Sequence, residues 1–318
     1  MRTKMVRILS AVFACVLFNM QVFAAEETDV DPYEEASLVA QGVYEPRSVY
    51  TPKKDYVKKF DNLFSIRFLT NYNYMAFASS LYDGGTLRSN RPVDIGLGLG
   101  LGDLSFDVKY ALPFTAGAGK RRSAAFDTGL DFFPKNLWMQ AKYRRYSGLS
   151  SDDEAQPVDL HQRDMYLSFL WIKAGKDHFS VRAPYFLDRI QLISAGSPVF
   201  GTKLQSSYMV DRAKVIDFYS KTRNIYSVWA HGGYSYTWVF EHSLFVNVWA
   251  LGGLAVGGLG NGGFGFFPDF NGKLAIGQWH EGWSWNVVPQ ITYSPLLYSG
   301  HVENRLLGSF EILVVKRF

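Results

Sequence analysis

Residues 93–112 read VDIGLGLGLGDLSFDVKYAL, and this stretch decides the fold. Apolar residues hold every second position in two runs that Gly102-Asp103 separates. Strict period-two alternation predicts β-strands, and a Gly-Asp pair between two such runs predicts a two-residue hairpin turn. With Leu101 opposite Leu104, one face of the hairpin is wholly apolar and the other carries glycines and charges. That pattern is typical of a barrel wall with lipid outside and water inside.

A second hairpin is predicted over residues 126–143. Pairing Phe133 with Asn136 across its turn again gives one apolar face. The same register places Asp127 opposite Lys142 on the polar face, which predicts a cross-strand ion pair. Two hairpins of one pattern indicate repeated units of a single wall.

Further alternating segments follow one another from Phe60 to the C-terminus, joined by short turns and by longer polar or glycine-rich segments such as 257–271. We therefore predict an all-β fold, a transmembrane antiparallel up-and-down β-barrel over residues 60–318. Because bacterial single-chain barrels have even strand numbers, we expect about 12 strands, with 10 and 14 as the alternatives. Residues 178–224 fit one bent strand, two strands, or a strand with a plug.

The first 24 residues have the form of a secretory signal peptide. Three basic residues precede an apolar run at 8–18, and small residues end the segment at Ala24. This run is shorter than the roughly 20 residues of a membrane-spanning helix. Lipoprotein processing at Cys15 is the weaker alternative. Cys15 is the only cysteine, so cleavage at Ala24 leaves a mature chain without disulfides or thiolate metal sites.

The mature chain is nearly neutral, because cleavage removes three basic and no acidic residues and lowers the formal net charge from +4 to +1. This charge gives no reason to expect nucleic acid as a partner. Residues 25–59 begin acidic and end basic, and we interpret them as a periplasmic N-terminal extension. A solvated leader is the simplest reading of this extension, and docking of a periplasmic partner is the alternative.

The C-terminus resembles the assembly signal of Gram-negative outer-membrane barrels. Phe310, Ile312 and Val314 alternate up to the final Phe318, and Lys316 departs from the pattern at a usually apolar place. The resemblance implies export to the outer membrane, with membrane lipid and the barrel-assembly machinery as partners.

Three segments resemble an uncharacterised family of outer-membrane barrels known only as a domain of unknown function. They are FSVRAPYF at 179–186, SAGSPVFGTKLQSSY at 194–208 and GGYSYTWVFEHSLFVNVWALGG at 232–253. The resemblance covers most of residues 60–318. It implies the barrel fold and no established activity.

The polar face of the predicted strands supplies candidate lumen residues. Their charges of both signs predict weak ion selectivity at most. The candidates are Arg67, Asp94, Asp107, Lys109, Asp127, Gln140, Lys142 and Arg144. The leading functional hypothesis is a narrow channel or transporter for small solutes. The alternatives are a closed structural or docking barrel of the envelope and a lipid- or glycan-modifying enzyme.

Aromatic residues make up 16% of the chain and are expected at two places. Near strand ends they fit the interfacial girdle of a membrane barrel. The girdle candidates are Tyr110, Tyr143, Trp279, Tyr293 and Tyr298. Trp138 and Trp249 fall on the predicted lumen face and are the candidates for carbohydrate stacking.

Motifs for catalysis and cofactors are weak. Ser194 and Ser197 with His178 are the best candidates for a serine hydrolase or acyltransferase, but the chain has no GxSxG elbow. The histidines lack metal-ligand spacing, and the glycine-rich run at 252–265 lacks the ending of a phosphate loop. We therefore predict no catalytic residues, no metal and no cofactor.

Overall fold

The computed structural model describes residues 56–62, 64–79, 87–88, 93–112, 124–149, 158–175, 177–216, 219–220, 223–259, 263–298 and 301–318. Within them the chain forms a closed antiparallel barrel of 12 strands, which confirms the predicted fold class. The predicted signal peptide and most of the predicted extension lie outside the described residues. No described helix is long and apolar enough to cross a membrane.

The elements are numbered here in chain order. The strands are β1 Val57–Lys59, β2 Phe64–Ser79, β3 Leu87–Arg88, β4 Val93–Leu101, β5 Leu104–Ala111, β6 Ala124–Phe132, β7 Leu137–Leu149, β8 Leu160–Ile172, β9 Arg189–Gln191, β10 Ala195–Asp211, β11 Arg223–Val239, β12 Leu244–Leu259, β13 Phe264–Gln278, β14 Trp283–Tyr293, β15 Leu296–Tyr298 and β16 His301–Arg317. One short helix, α1, spans Arg182–Phe186, and a 3-10 turn spans Glu241–Ser243.

The barrel closes where β16 pairs with β2, from Glu303 opposite Ser79 to Arg317 opposite Ser65. The short strands β3 and β15 extend this sheet, whereas β1 and β9 form a separate two-stranded sheet. We call the end of the barrel at which Phe64 and Phe318 lie the terminus end, and the opposite end the loop end. The N–H of Phe318 donates to the carbonyl of Phe64 at 3.1 Å.

The outer face of the wall is apolar. Side chains such as Leu97 (59% exposed), Leu101 (61%) and Met165 (59%) point away from the lumen. A closed wall satisfies every ladder hydrogen bond internally, and an apolar exterior is stable only in contact with lipid. The chain is therefore a membrane-spanning barrel.

The hairpin of β4 and β5 has the predicted register, with Leu101 opposite Leu104. Its inward glycines leave room for long side chains of the neighbouring strands. A Cβ added at Gly96 would lie 2.8 Å from Cγ of Lys109, and one at Gly98 would lie 2.9 Å from Nε of Arg67. Side chains from β2 and β5 thus cross over β4, and the glycine face is a trough that holds them.

Gly98→Ala tests this trough. We expect the free energy of unfolding to fall by about 1–3 kcal/mol, because the new methyl group overlaps the Arg67 and Asp107 side chains. Urea unfolding in lipid vesicles, followed by tryptophan fluorescence, measures the change. Gly252→Ala is the matched control, since nothing lies within 4 Å of its added Cβ. Equal stability of the two variants would contradict the trough.

The hairpin of β6 and β7 departs from the predicted register by two residues. Phe132 lies opposite Met139, and Asp127 lies opposite Arg144. The predicted Asp127–Lys142 pair is therefore wrong. The turn is longer than expected, because Lys135 adopts a left-handed conformation with φ 53° and the Leu137 N–H donates to the Pro134 carbonyl.

The predicted loop at 257–271 is also wrong, because β12 runs to Leu259 and β13 begins at Phe264. Glycines suggested a loop, but at least one serves side-chain packing within the sheet. A Cβ at Gly257 would lie 3.0 Å from the Phe267 ring.

Residues 178–224 contain one long strand, β10, preceded by a segment that folds into the lumen. We call residues 177–194 the plug. The plug connects β8 to β10 at the terminus end and contains α1 and β9. Several of its apolar side chains are buried, including Phe179 at 1% and Leu187 at 0% exposed.

Side chains of the wall satisfy the backbone of the plug helix. The last carbonyls of a helix lack partners within the helix. The Trp279 indole donates to the Ala183 carbonyl at 2.8 Å, and Asn286 Nδ2 donates to the Pro184 carbonyl at 2.5 Å. The Arg317 guanidinium donates to the Leu187 carbonyl.

Trp279 was expected in the aromatic girdle, and this expectation is wrong. Its side chain is 2% exposed and stacks on Phe245 with ring centroids 4.2 Å apart, beneath the plug. Tyr110 and Tyr293 are exposed on the outer face, at 51% and 42%.

The plug is joined to the chain segment that precedes the barrel. Strand β1 pairs with β9, with Val57 opposite Gln191 and Lys59 opposite Arg189. The Leu192 N–H donates to the Tyr56 carbonyl at 2.7 Å. The end of the predicted N-terminal extension therefore contacts the plug directly.

Candidate functional site

A polar chamber of about 320 Å³ lies in the lumen. Tyr185 and Phe186 of α1 line it from the terminus end. Trp229 and Phe267 line it toward the loop end and belong to an apolar group that we call the loop-end cluster. The loop-end cluster consists of Leu87, Leu149, Val158, Leu160, Met209, Ile216, Tyr219, Ile225, Trp229, Ala255 and Phe267. The chamber is thus held between the plug and this cluster.

One wall of the chamber carries ion pairs that cross the glycine trough. Arg67 on β2 contacts Asp107 on β5 at 2.7 Å. Lys109 on β5 reaches Glu311 on β16 at 2.5 Å. Both pairs span intervening strands, which is sterically feasible only because β4 presents glycines inward. The charges are largely neutralised within this wall.

The neighbouring strands continue the polar wall. Arg144 contacts Asp127 at 3.1 Å. Asp131 accepts hydrogen bonds at one oxygen from the Trp138 indole at 2.8 Å and from Gln140 at 2.6 Å. These carboxylates are therefore already engaged by the wall.

The opposite wall has a second group of charges centred on Asp269. Its carboxylate lies 3.9 Å from Lys203 Nζ and 3.3 Å from His231 Nε2. The Lys203 ammonium also lies 4.1 Å from the centroid of the Trp229 ring. A Cβ at Gly253 would collide with His231 and with Asp269, so a glycine again makes room for the pair.

The predicted lumen residues are distributed as follows. Seven of them line the chamber: Arg67, Asp107, Lys109, Asp127, Gln140, Lys142 and Arg144. Asp94 is buried but outside the chamber lining, and it accepts a hydrogen bond from Asn73 at 2.5 Å. The structure therefore gathers most of the candidate residues around one cavity.

Other chamber residues were missed by sequence reasoning, chiefly Lys203, Asp269, Lys273 and Glu311. Asp269 lay in the segment interpreted as a glycine-rich loop. Lys203 and Glu311 occupy alternate polar positions in β10 and β16, and that period-two pattern is the signal that could have found them.

The floor of the chamber is aromatic. Trp138 and Trp249 meet edge to face with centroids 5.8 Å apart, and Tyr185 meets Trp249 at 6.1 Å in the same way. Lys273 Nζ lies 5.3 Å from the Tyr185 ring centroid and 5.8 Å from each tryptophan. A lysine cation thus stands over three rings at the base of the cavity.

Arg182 joins the plug to the barrel, and we call its contacts and those of Arg189 with Asp103 the arginine lock. Its guanidinium contacts Asp103 in the β4–β5 turn at 2.5 Å, contacts Asp188, and donates to the Gly102 carbonyl. It also lies 4.6 Å from the Phe133 ring centroid. Arg189 adds a second contact to Asp103 at 2.9 Å. The lock joins the plug to a turn of the wall at the terminus end.

Burial raises the pKa of Asp103, but the guanidinium groups of Arg182 and Arg189 outweigh burial and hold this pKa below its ordinary value of 3.8. A carboxyl group whose pKa is lowered on folding stabilises the fold fully above its unfolded pKa. That stabilisation is lost only as the pH falls through the lowered value. The lock therefore persists at neutral and mildly acidic pH.

The candidate hydrolase residues do not form a catalytic group. Ser194 accepts a hydrogen bond from the Val239 N–H, and Ser197 accepts one from the Ala174 N–H, both at 2.9 Å. The His178 ring packs against Tyr56, with ring centroids 4.1 Å apart and the rings tilted by 37°. Within the described residues, neither serine contacts a histidine, and no cluster of metal-ligating side chains occurs.

Comparisons with known proteins found a matching family model and similar solved structures. A family model described as "Domain of unknown function (DUF4421)" matches residues 51–291. No curated protein sequence matches the chain.

Solved structures with a similar fold are outer-membrane proteins. An outer membrane channel from Pseudomonas putida F1 is 13% identical, with a TM-score of 0.38, over 84% of this chain and all of that one. OmpT of Vibrio cholerae is 5% identical, with a TM-score of 0.33, over 85% of this chain and all of that one. The KdgM porin is 11% identical, with a TM-score of 0.27, over 78% of this chain and 99% of that one.

Proposed function

This chain belongs to the DUF4421 family of unknown function, and because the family supplies no activity, we propose a function from the geometry of the lumen. The protein is a plugged channel of the outer membrane that passes small polar solutes when the plug is displaced. The observation that carries this proposal is the polar chamber of about 320 Å³ between the plug and the loop-end cluster.

The size and polarity of the chamber support passage of small solutes. Ligand cavities in proteins begin at about 300 Å³, so the chamber matches a small molecule rather than a polymer. A barrel of 12 strands lies between small barrels filled by side chains and wide aqueous porins. The charged walls favour water and polar groups over lipid.

The nature of the plug supports gating. The plug is a chain segment between two wall strands and is held by an arginine lock, so it can leave the lumen without disturbing the strand ladder. By contrast, the ion pairs of the wall lie between strands and remain in place. Displacement of the plug would remove Tyr185 from the aromatic floor and expose Trp138 and Trp249 to the terminus end.

Planar-bilayer recording of the purified mature protein tests the proposal. We expect a closed baseline with brief openings, because the plug closes the described lumen. We expect anions and cations to permeate within about a factor of three of each other, since paired charges of both signs line the chamber. Absence of openings in the native protein and in a barrel without its plug would refute the channel.

That last result would favour the second candidate function, a closed structural or docking barrel. The observation that favours it is the pairing of β1 with β9, which links the N-terminal extension to the plug. A periplasmic partner of residues 25–59 would then act on this sheet.

Phe318, which is 60% exposed at the terminus end, supports recognition by the assembly machinery.

A further inference from the structure

We propose that the chamber floor binds small ring-bearing carboxylates, with the carboxylate between Lys273 and Trp249. This inference rests on the proposed channel, because it names the class of solute that the channel would take. The ring is either aromatic, as in benzoate, or a sugar, as in glucuronate. The shared chemistry is a single negative charge on a ring that has a face able to stack on aromatic side chains.

The first observation concerns the groups that surround the Lys273 ammonium. Within the described part of the chain, its ammonium has no carboxylate within 4.0 Å and no hydrogen-bond acceptor. Lys109, by comparison, is paired with Glu311, and Lys203 lies 3.9 Å from Asp269. A half-buried cation over aromatic rings with no carboxylate in direct contact is costly, and an anionic ligand that pairs with it reduces this cost.

The second observation is the indole N–H of Trp249. Trp249 is 2% exposed and lines the chamber, and its Nε1 has no hydrogen-bond partner among the residues that the structure describes. Trp138 is similarly buried, at 3%, but its N–H is satisfied by Asp131. Buried donors are nearly always paired, so this unpaired donor in the lining of a polar cavity indicates an acceptor that binds beside it once the side chains that cover it shift.

The third observation is the aromatic surface around this donor and cation. Trp138, Trp249 and Tyr185 meet edge to face around Lys273 Nζ. Tyr185 is fixed by its hydroxyl, which donates to Asn247 at 2.6 Å. Rings held in this way offer both an edge and a face to a planar ligand, and a charge-assisted hydrogen bond would fix its carboxylate.

Isothermal calorimetry on the full mature protein in detergent tests the site without measuring conductance. The probes are benzoate and glucuronate, with benzamide and methyl glucoside as uncharged counterparts. We expect both carboxylates, or one of them, to bind and the uncharged compounds to bind at least about tenfold more weakly, since they lack the charge.

Three variants locate the binding. Lys273→Gln should weaken carboxylate binding about tenfold or more, and Trp249→Phe, which keeps a ring but loses the N–H, about fivefold. Lys316→Gln is the matched control, because Lys316 also lies over an aromatic ring, 4.9 Å from the Trp283 centroid, but outside the chamber lining, and its replacement should change the affinity less than about twofold.

The outcomes separate this inference from the channel proposal. If current flows but no carboxylate binds, or if Lys316→Gln weakens binding as much as Lys273→Gln, the site is refuted and the channel stands. If carboxylates bind with the expected pattern while no current flows, the site stands and the channel is refuted. Preference for benzoate or for glucuronate identifies the ring class.

Discussion

Replacement of the plug, residues 177–194, by a short Gly-Ser connection between β8 and β10 raises the mean current through the barrel by about tenfold or more. The plug supplies the aromatic floor residues Tyr185 and Phe186, and with them the closure of the terminus end. Removing it leaves the strand ladder complete. Planar-bilayer recording measures the current, and liposome swelling with small sugars gives an independent readout.

Two checks make this result interpretable. Altered gel mobility before and after boiling shows whether the shortened protein still forms a barrel. A shortened barrel that folds but conducts no more than the native protein would show that the loop-end cluster closes the lumen by itself. That result would contradict the plug as the gate.

Arg182→Ala gives the second large effect, an increase in the open probability of the full-length channel. Arg182 is 4% exposed and pairs with Asp103 and Asp188. Removing Arg182 costs about 1.5–3 kcal/mol, because its charge-assisted hydrogen bonds are lost while Asp103, which is 44% exposed, keeps Arg189 as a partner. If most of this cost falls on the closed state, open events become at least about tenfold more frequent, since 1.4 kcal/mol is a tenfold change.

Arg163→Ala is the matched control for the lock. Arg163 is exposed on the outer side of β8 and lies 4.7 Å from the centroid of the Tyr208 ring. Its replacement therefore also removes an arginine–aromatic contact, but one that does not involve the plug. We expect its open probability to equal that of the native protein. A similar increase in both variants would assign the effect to general loss of stability and not to the lock.

The two hairpins with the clearest alternating patterns differ in how well their pairing register could be predicted from the sequence. In β4–β5 the two-residue turn allows only one register, so pairs such as Leu101–Leu104 follow directly. In β6–β7 a shift of two residues keeps every side chain on its face. The hydrophobic pattern therefore cannot distinguish the two registers. The conformation of Lys135 sets the register in which Asp127 lies opposite Arg144.

The plug could be predicted only as one of several options, because its residues follow neither strand nor helix periodicity over a useful length. Its stability comes from distant partners: Arg182 and Asp103 lie 79 positions apart in the chain. The candidate site was predicted only in part, also because some of its contacts join residues that are distant in the chain. Charges on regular strands could be assigned to the lumen, whereas the arrangement of Lys273 over Trp249 depends on how the barrel closes.

The pairing of β1 with β9 has a mechanical consequence. Tension on the residues ahead of Tyr56 first loads the hydrogen bond from the Leu192 N–H to the Tyr56 carbonyl and then the Val57–Gln191 pair. The sheet of β1 and β9 has three residue pairs, whereas the seam of β2 and β16 has fifteen. A pull on this side of the chain therefore reaches the plug before it reaches the seam.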